Sequence, residues 1–275
     1  MATQQGFEYE KNTFEYLKKY NLCAGTGSAG ASHDKPDITL KVNGEESGCE
    51  LKISPTAGGS LVLKYFDKKA LHWQFGDVVH DETEKKFLKD LAIQCGALQE
   101  VNQQWKTRPY LIEDRDKQHE AIMLKIPLRE RYNSDLKTCP DVRIKNLDSS
   151  AMSRYYNLKN TYYINVGTHG FYLLGDRDPL KLNEKLKQSN RALIPKFESV
   201  AKIVGRVRCQ SKGVTKADAA EKSKGQIGGQ GYQFTFSLEF SIPVNSSPYN
   251  IAPLAKNGKS VTILTNQEHL LQCLI

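Results

Sequence analysis

The sequence predicts an α/β protein in which a mixed central sheet is flanked by helices and followed by a basic, β-rich C-terminal extension. Three observations support this prediction: an amphipathic helical stripe opens the chain, alternating strands follow it, and positive charge is concentrated in the last hundred residues. At 275 residues the chain exceeds the usual size of one domain. We expect a core over residues 1–175 and the extension over 176–275, either as a second domain or within the same compact domain.

Residues 6–20 have the spacing of an amphipathic helix. Phe7, Phe14 and Leu17 fall on one apolar stripe. Glu10 lies on the same stripe, because positions 7, 10, 14 and 17 follow the three- and four-residue spacing of one helix face. A carboxylate on a stripe that we expect to be buried calls for a functional reason.

A β-hairpin is predicted next. Residues 37–42 alternate between polar and apolar, and residues 49–53 return as the partner strand. Asn43-Gly44 is typical of a two-residue type I′ turn, although the polar residues that follow also allow a longer loop. A third strand is predicted over residues 61–66.

The rest of the chain continues with one long helix and further strands. Residues 82–105 have an apolar side opposite a lysine-rich side, which predicts a helix that could cross back beside the hairpin. A second hairpin is expected from residues 161–166 and 171–175. The remaining predictions are strands at 203–209, 232–242 and 261–264 and a glycine-rich loop at 222–231.

Composition excludes several classes of protein. Charged residues make up 25% of the chain and the mean hydropathy is −0.55, which is typical of a soluble globular protein. No apolar run approaches the roughly 18 residues of a transmembrane helix, and the N-terminus lacks the features of a signal peptide. Six widely spread cysteines without a CxxC pair favour reduced thiols. We therefore expect an intracellular, cytoplasmic protein without a membrane partner.

Positive charge is unevenly distributed. The net charge is +8, and residues 177–224 contain 13 Lys and Arg against 5 Asp and Glu, a surplus equal to that of the whole chain. Such a tract suits a surface that follows a phosphate backbone, although an ordinary solvated face remains the alternative. The candidate nucleic-acid contacts are Lys202, Arg206, Arg208 and Lys212. Aromatic residues at 232, 234 and 236 are better explained as core than as base-stacking groups.

The candidate chemistry lies in the first hairpin. Asp37 opens one strand, and Glu50 and Lys52 share a face of the other because strand side chains alternate. Hairpin geometry brings Asp37 beside them. Two carboxylates can hold a hard cation such as Mg²⁺, which keeps several waters and takes further ligands from phosphate. The lysine can orient a water or stabilise charge at phosphorus.

Pro36-Asp37 followed by Glu50-Leu51-Lys52 resembles the motif of the PD-(D/E)xK nuclease superfamily, which includes restriction endonucleases and Holliday junction resolvases. The family often has a preceding helix with glycine, three residues and glutamate, which Gly6 to Glu10 match. The resemblance covers residues 6–66, extends at most to about 175, and implies a restriction-endonuclease-like fold.

The resemblance also implies roles for individual residues. Asp37 and Glu50 would bind the metal together with the Leu51 carbonyl, and Lys52 would act on the attacking water. Glu10 would serve a second metal position or its waters. The expected function is a Mg²⁺-dependent DNA endonuclease in which Mn²⁺ substitutes for Mg²⁺. A homodimer would allow cleavage of both strands with one active site per chain.

Two alternatives remain open. The chain could be a nucleic-acid-binding protein on the same fold with a vestigial, non-catalytic site. A hydrolase acting on another substrate class is also conceivable, but we find no nucleophile and base pair for it.

Several other motifs are weaker. Residues 25–30 read GxGxxG, but a dinucleotide fingerprint needs a strand before it and a helix after it, and the predicted order here is reversed. We expect a loop over the site instead. His33 and His169 could touch phosphate, and Asp34 competes with Asp37 for the metal but lies outside the predicted strand.

Overall fold

The computed structural model describes residues 2–25, 35–53, 57–63, 65–67, 72–74, 83–105, 137–144, 147–148, 150–167, 169–197, 200–211, 230–241 and 266–275. The chain forms two compact units. The first comprises Met1–Thr56, Asp148–Ala201 and Phe240–Ile275, and the second comprises Ala57–Leu147 and Lys202–Glu239. Each unit takes residues from both sides of position 175.

In chain order, the helices and strands of the described residues are α1 (Ala2–Lys18), β1 (Cys23–Ala24), β2 (Ile38–Val42), β3 (Glu45–Lys52), β4 (Ala57–Leu63), β5 (Tyr65–Asp67), β6 (His72–Gln74), α2 (Thr83–Gln94), α3 (Ala97–Trp105), β7 (Val142–Ile144), α4 (Ala151–Asn157), β8 (Thr161–Val166), β9 (Gly170–Leu173), α5 (Leu182–Gln188), β10 (Val200–Ser211), β11 (Gln230–Ser241) and α6 (Asn266–Leu274). None of the described helices is long and apolar enough to cross a lipid bilayer.

A five-stranded sheet in the order β1-β2-β3-β8-β9 forms the centre of the first unit. The β3 and β8 strands are parallel, whereas the other neighbouring pairs are antiparallel. Helices α1, α5 and α6 contribute to the apolar cluster on one side of this sheet, and α4 contacts β8. The prediction of an α/β protein with a mixed central sheet flanked by helices is therefore confirmed.

The first hairpin has the shorter of the two predicted turns. Val42 pairs directly with Glu45, and Asn43 and Gly44 have φ values of 54° and 86°. Positive φ at both central residues is the geometry of a type I′ turn, which asparagine and glycine adopt at low cost. The β3 strand consequently begins at Glu45, earlier than the predicted residue 49.

Glycine is also required where β3 meets the start of β8. A Cβ atom at Gly48 would lie 2.7 Å from the Asn160 carbonyl oxygen and 2.9 Å from Thr161 Oγ1. The pairing between the two strands shifts register between Gly48 and Cys49. This close approach aligns the end of β3, which carries the candidate site, with β8.

The core of the first unit confirms the predicted N-terminal helix. Phe14 and Leu17 on α1 are buried in one apolar cluster with Cys49 and Leu51 on β3. The helix starts earlier than predicted, at Ala2, and ends at Lys18. The second hairpin, β8 with β9, is also confirmed.

Several local predictions differ from the structure. The predicted helix over 82–105 is two helices, because the backbone at Gly96 has a φ of 75° and interrupts the helical path. Both helices belong to the second unit, and α4 is the helix that immediately precedes β8. The predicted strand at 61–66 is divided between β4 and β5.

The predicted C-terminal strands are partly observed. The β10 and β11 strands cover the predictions at 203–209 and 232–242, apart from residue 242. They are neighbours in a four-stranded sheet of the second unit with the order β4-β11-β10-β7. Of the predicted loop at 222–231, residues 230 and 231 belong to β11, and the other positions lie outside the described residues. The prediction for 261–264 lies outside the described residues.

Candidate active site

The first hairpin places Asp37 beside Glu50. Ile38 pairs with Cys49 in an antiparallel register, so the residue before Ile38 lies opposite the residue after Cys49. Lys52 follows two positions along β3, and side chains two apart on a strand share a face. The three side chains that the spacing predicted to converge therefore do so.

These three side chains form a compact charged cluster. Asp37 is 8% exposed and Glu50 is 5% exposed. The Lys52 ammonium forms an ion pair with Glu50 Oε1, and its nitrogen lies 3.8 Å from Asp37 Oδ2. The Leu51 backbone N–H donates a hydrogen bond of 2.7 Å to the same Asp37 oxygen. One lysine therefore serves two buried carboxylates.

In each of the two carboxylates, one oxygen atom accepts hydrogen bonds. Within the described residues, no hydrogen bond reaches Asp37 Oδ1 or Glu50 Oε2. The Lys52 carbonyl accepts a hydrogen bond of 2.7 Å from Gly167 N–H beside β8. Because successive carbonyls point to opposite sides of a strand, the Leu51 carbonyl points toward the Asp37 side. The oxygen atoms that could bind a cation are thus Asp37 Oδ1, Glu50 Oε2 and the Leu51 carbonyl oxygen.

The electrostatics of the cluster show an excess of negative charge. Burial, and then the neighbouring Glu50 carboxylate, raise the pKa of Asp37 to about 7 against the opposing effect of Lys52. Burial alone would lower the pKa of Lys52, but Glu50 and Asp37 together raise it above its ordinary value. Lys52 is therefore an ammonium, and the charge of the carboxylates is only partly compensated.

Glu10 contributes a third carboxylate at this end of the sheet. It is 9% exposed, and within the described residues its Oε2 atom has no hydrogen-bond partner. Burial raises the pKa of Glu10, Lys52 opposes that shift, and Glu50 adds to it. The predicted carboxylate on the helix stripe therefore acts electrostatically on the hairpin residues.

A hydrogen bond between α1 and β8 helps to place Glu10. Asn165 Nδ2 donates to the Tyr9 hydroxyl over 3.0 Å, and Asn165 is fully buried opposite Leu51 in the sheet. Tyr9 immediately precedes Glu10, so this contact fixes the turn of α1 that carries the carboxylate. Sequence analysis did not identify either partner.

Tyr156 is a further residue at the site that sequence analysis missed. It lies on α4, is fully buried, and its hydroxyl donates a hydrogen bond of 3.2 Å to Glu50 Oε1. Burial and the nearby Glu50 carboxylate raise its pKa well above the ordinary value, so the hydroxyl keeps its proton. No periodic pattern in the sequence connects positions 50 and 156, because packing across the sheet brings them together.

The donor set fits a hard divalent cation. Asp37 and Glu50 offer carboxylate oxygens, and the orphaned Oε2 of Glu10 is a buried polar atom without a partner in the described residues. In the part of the chain that the structure describes, His, Cys, Asp and Glu side chains do not form a metal-binding group of three or more. Mg²⁺ remains compatible, because it is commonly bound through one or two carboxylates while waters and substrate phosphates complete its coordination.

The other predicted contacts are described only in part. Lys202 is half-buried on β10 in the second unit. Arg206 and Arg208 occupy alternate positions of β10, and their side chains lie outside the described residues, as does Lys212. Of the predicted loop at 25–30 only Gly25 is described, and positions 33 and 34 are not.

His169 is the remaining predicted candidate. It lies in the turn between β8 and β9, where its backbone N–H donates to the Val166 carbonyl over 2.8 Å.

The resemblance to the PD-(D/E)xK nucleases remains based on Pro36-Asp37, Glu50-Leu51-Lys52 and Glu10. Comparisons of the chain with protein-family models, with curated proteins and with solved structures found no match.

Proposed function

We propose that the chain is a Mg²⁺-dependent endonuclease that hydrolyses phosphodiester bonds in DNA through Asp37, Glu50 and Lys52, with Glu10 in support. One observation carries the proposal: two adjacent buried carboxylates share a single lysine. Removing charges from water is costly unless they are compensated. A bound cation would supply the missing compensation, and strongly perturbed groups of this kind are concentrated at functional sites.

Asp37 and Glu50 would hold the metal, and the Leu51 carbonyl is oriented to join them. When bound, Mg²⁺ would supply a Lewis acid that activates water and stabilises negative charge on the phosphate. Mn²⁺ prefers similar oxygen ligands and should substitute for it. Glu10 would support the site electrostatically or through a metal-bound water.

Lys52 would act as an ammonium rather than as a general base. Its raised pKa keeps the proton on Nζ, so it can donate a hydrogen bond to the attacking water or to a phosphate oxygen. A fixed positive charge near the reacting phosphate stabilises the negative charge that develops in the transition state. The two carboxylates hold Nζ at one place on the face of β3.

The wider functional setting is proposed on the same basis. The net charge of +8 favours a polyanionic partner such as DNA, and a homodimer would allow cleavage of both strands. Cys23, Cys49, Cys95, Cys139 and Cys273 are free thiols, which favours a reducing, cytoplasmic environment. Residues 202, 206, 208 and 212 remain the proposed phosphate contacts.

A second candidate is a nucleic-acid-binding protein whose site is vestigial. Two contacts favour it: Lys52 already pairs with Glu50, and the Leu51 N–H already occupies one oxygen of Asp37. A closed ion pair of this kind can persist without catalysis. The two candidates differ in whether the protein turns over DNA when Mg²⁺ is added.

The deciding experiment is a cleavage panel. Linear, supercoiled, single-stranded and four-way-junction DNA are incubated with the protein in Mg²⁺, Mn²⁺ or chelator. We expect metal-dependent cleavage that falls by a factor of about 10³ or more in Asp37→Asn and in Glu50→Gln, because each removes a ligand charge at nearly constant volume.

The matched control is Glu46→Gln, which neutralises an exposed carboxylate on the same strand and should cleave like wild type. DNA binding without metal-dependent cleavage would favour the vestigial site. Full turnover by Asp37→Asn or Glu50→Gln would show that the active site lies elsewhere.

A further inference from the structure

Tyr156 contacts the candidate site from a helix that the motif does not include. Its ring is fully buried on α4 and packs edge-on against Tyr155, with centroids 5.2 Å apart and an interplanar angle of 72°. Its hydroxyl donates to Glu50 Oε1 over 3.2 Å. The donor is therefore fixed by packing rather than held on a mobile side chain.

The contact divides the two oxygens of Glu50 between different roles. Oε1 receives both the Lys52 ammonium and the Tyr156 hydroxyl. Oε2 receives no hydrogen bond from any described residue, and Glu50 is nevertheless 5% exposed in total. Two donors on one oxygen restrict rotation of the carboxylate, so the other oxygen keeps one direction.

We propose that Tyr156 is a positioning residue that orients the Glu50 carboxylate so that Oε2 is presented to a divalent cation. The inference rests on the proposed function, in which Glu50 is a metal ligand. Lys52 alone does not fix this orientation, because its ammonium is a compact charge that Glu50 shares with Asp37, 3.8 Å from Nζ. Hydrogen-bonded groups behind a metal ligand are known to hold it in the geometry that binding requires.

Mn²⁺ binding, followed by electron paramagnetic resonance of the free ion, tests the proposal without relying on activity. Tyr156→Phe keeps the buried ring and removes only the hydroxyl. We expect the dissociation constant for Mn²⁺ to rise by about tenfold, the lower end of what loss of such a supporting group causes.

Tyr172→Phe is the matched control. Tyr172 is also buried, lies opposite Ile164 in the same row of the sheet as Glu50, and donates to the His169 carbonyl over 3.1 Å. Its removal costs a comparable hydrogen bond, whose acceptor is a backbone carbonyl rather than a carboxylate. Mn²⁺ affinity should therefore stay at the wild-type value in this variant.

A double-mutant cycle separates positioning from a general structural effect. Glu50→Asp retracts the carboxylate from the hydroxyl by one methylene while keeping its charge. If Tyr156 acts through Glu50, Tyr156→Phe should add no further loss of Mn²⁺ affinity in the Glu50→Asp background. An equal additional loss in both backgrounds would overturn the proposal.

The remaining outcomes also decide the proposal. Wild-type Mn²⁺ affinity in Tyr156→Phe would overturn it while leaving the proposed metal site intact, as would an equal loss in Tyr172→Phe. Failure of Tyr156→Phe to fold while Tyr172→Phe folds normally would assign the hydroxyl a structural role instead. Absence of Mn²⁺ binding by the wild-type protein would overturn the metal site itself, and the positioning role with it.

Discussion

The two faces of β3 are almost equally buried but have opposite chemistry. Cys49 and Leu51 point into the apolar cluster under α1 and are 0% and 2% exposed. Glu50, on the other face, is 5% exposed and faces Lys52 and a tyrosine hydroxyl. Burial of a large aliphatic side chain stabilises the fold by about 1.5–3 kcal/mol. Burial of a charge costs free energy, so the second face lowers stability, and the proposed cation site would offset this cost.

The neighbouring strand β8 adds to the contrast between the two faces of β3. On the charged face, Glu50 lies beside Ile164, and Lys52 lies beside Val166. These two residues of β8 are buried and apolar. Apolar residues at positions 50 and 52 would continue that row. The charged pair is thus placed in surroundings that favour its replacement by apolar side chains, and the proposed cation-binding role would account for its presence.

The largest expected effect on stability comes from the apolar face. Leu51→Ala should lower the free energy of unfolding by about 3 kcal/mol, because it removes buried methylene groups and leaves a cavity. Glu50→Gln should cost less than about 1 kcal/mol, since it removes a buried charge and nearly preserves volume. Urea unfolding in chelator measures both. Equal losses in the two variants would show that the faces contribute alike to stability.

Loss of Lys52 should have an intermediate effect. Lys52→Ala leaves two buried carboxylates without their shared ammonium, so the free energy of unfolding at pH 8 should fall by about 2 kcal/mol. Mg²⁺ should recover part of this loss by binding the folded state. Unfolding with and without Mg²⁺ tests this, with Lys41→Ala, an exposed lysine on β2, as the control. A loss that Mg²⁺ does not change would contradict the shared cation site.

Local sequence signals were sufficient to predict the charged face. Alternation along the hairpin and the Asn43-Gly44 turn determine the register, and that register alone places Asp37 opposite Glu50. The helical spacing on α1 likewise identified Glu10 as a buried carboxylate. These are short-range relations, in which each residue's position follows from its neighbours in the chain.

Contacts between distant parts of the chain were not predictable in the same way. Tyr156 meets Glu50 only because β3 and β8 pair in parallel and α4 packs before β8. Neither event has a periodic signature in the sequence. The C-terminal helix α6 was also not predicted, although Leu270, Cys273 and Leu274 have the spacing of one helix face. The proposed phosphate contacts at 202, 206, 208 and 212 stay predictions.

The smallest expected effect concerns the pH dependence of stability. The folded protein holds a proton on Asp37 up to a pKa of about 7, whereas an unfolded aspartate has a pKa of about 3.9. Between these values the folded state binds more protons than the unfolded state, so the contribution of Asp37 to stability falls as pH rises from about 4 to about 7.

Asp37→Asn lacks this pH dependence, and its amide oxygen can still accept a hydrogen bond from the Leu51 N–H. In chelator, the variant should therefore gain on the order of 1 kcal/mol relative to wild type between pH 6.0 and pH 7.5. Urea unfolding at both pH values measures the difference, and Glu46→Gln, with its exposed carboxylate on the same strand, should follow wild type. Parallel curves for wild type and Asp37→Asn would show that the carboxylates on the charged face of β3 are already fully compensated.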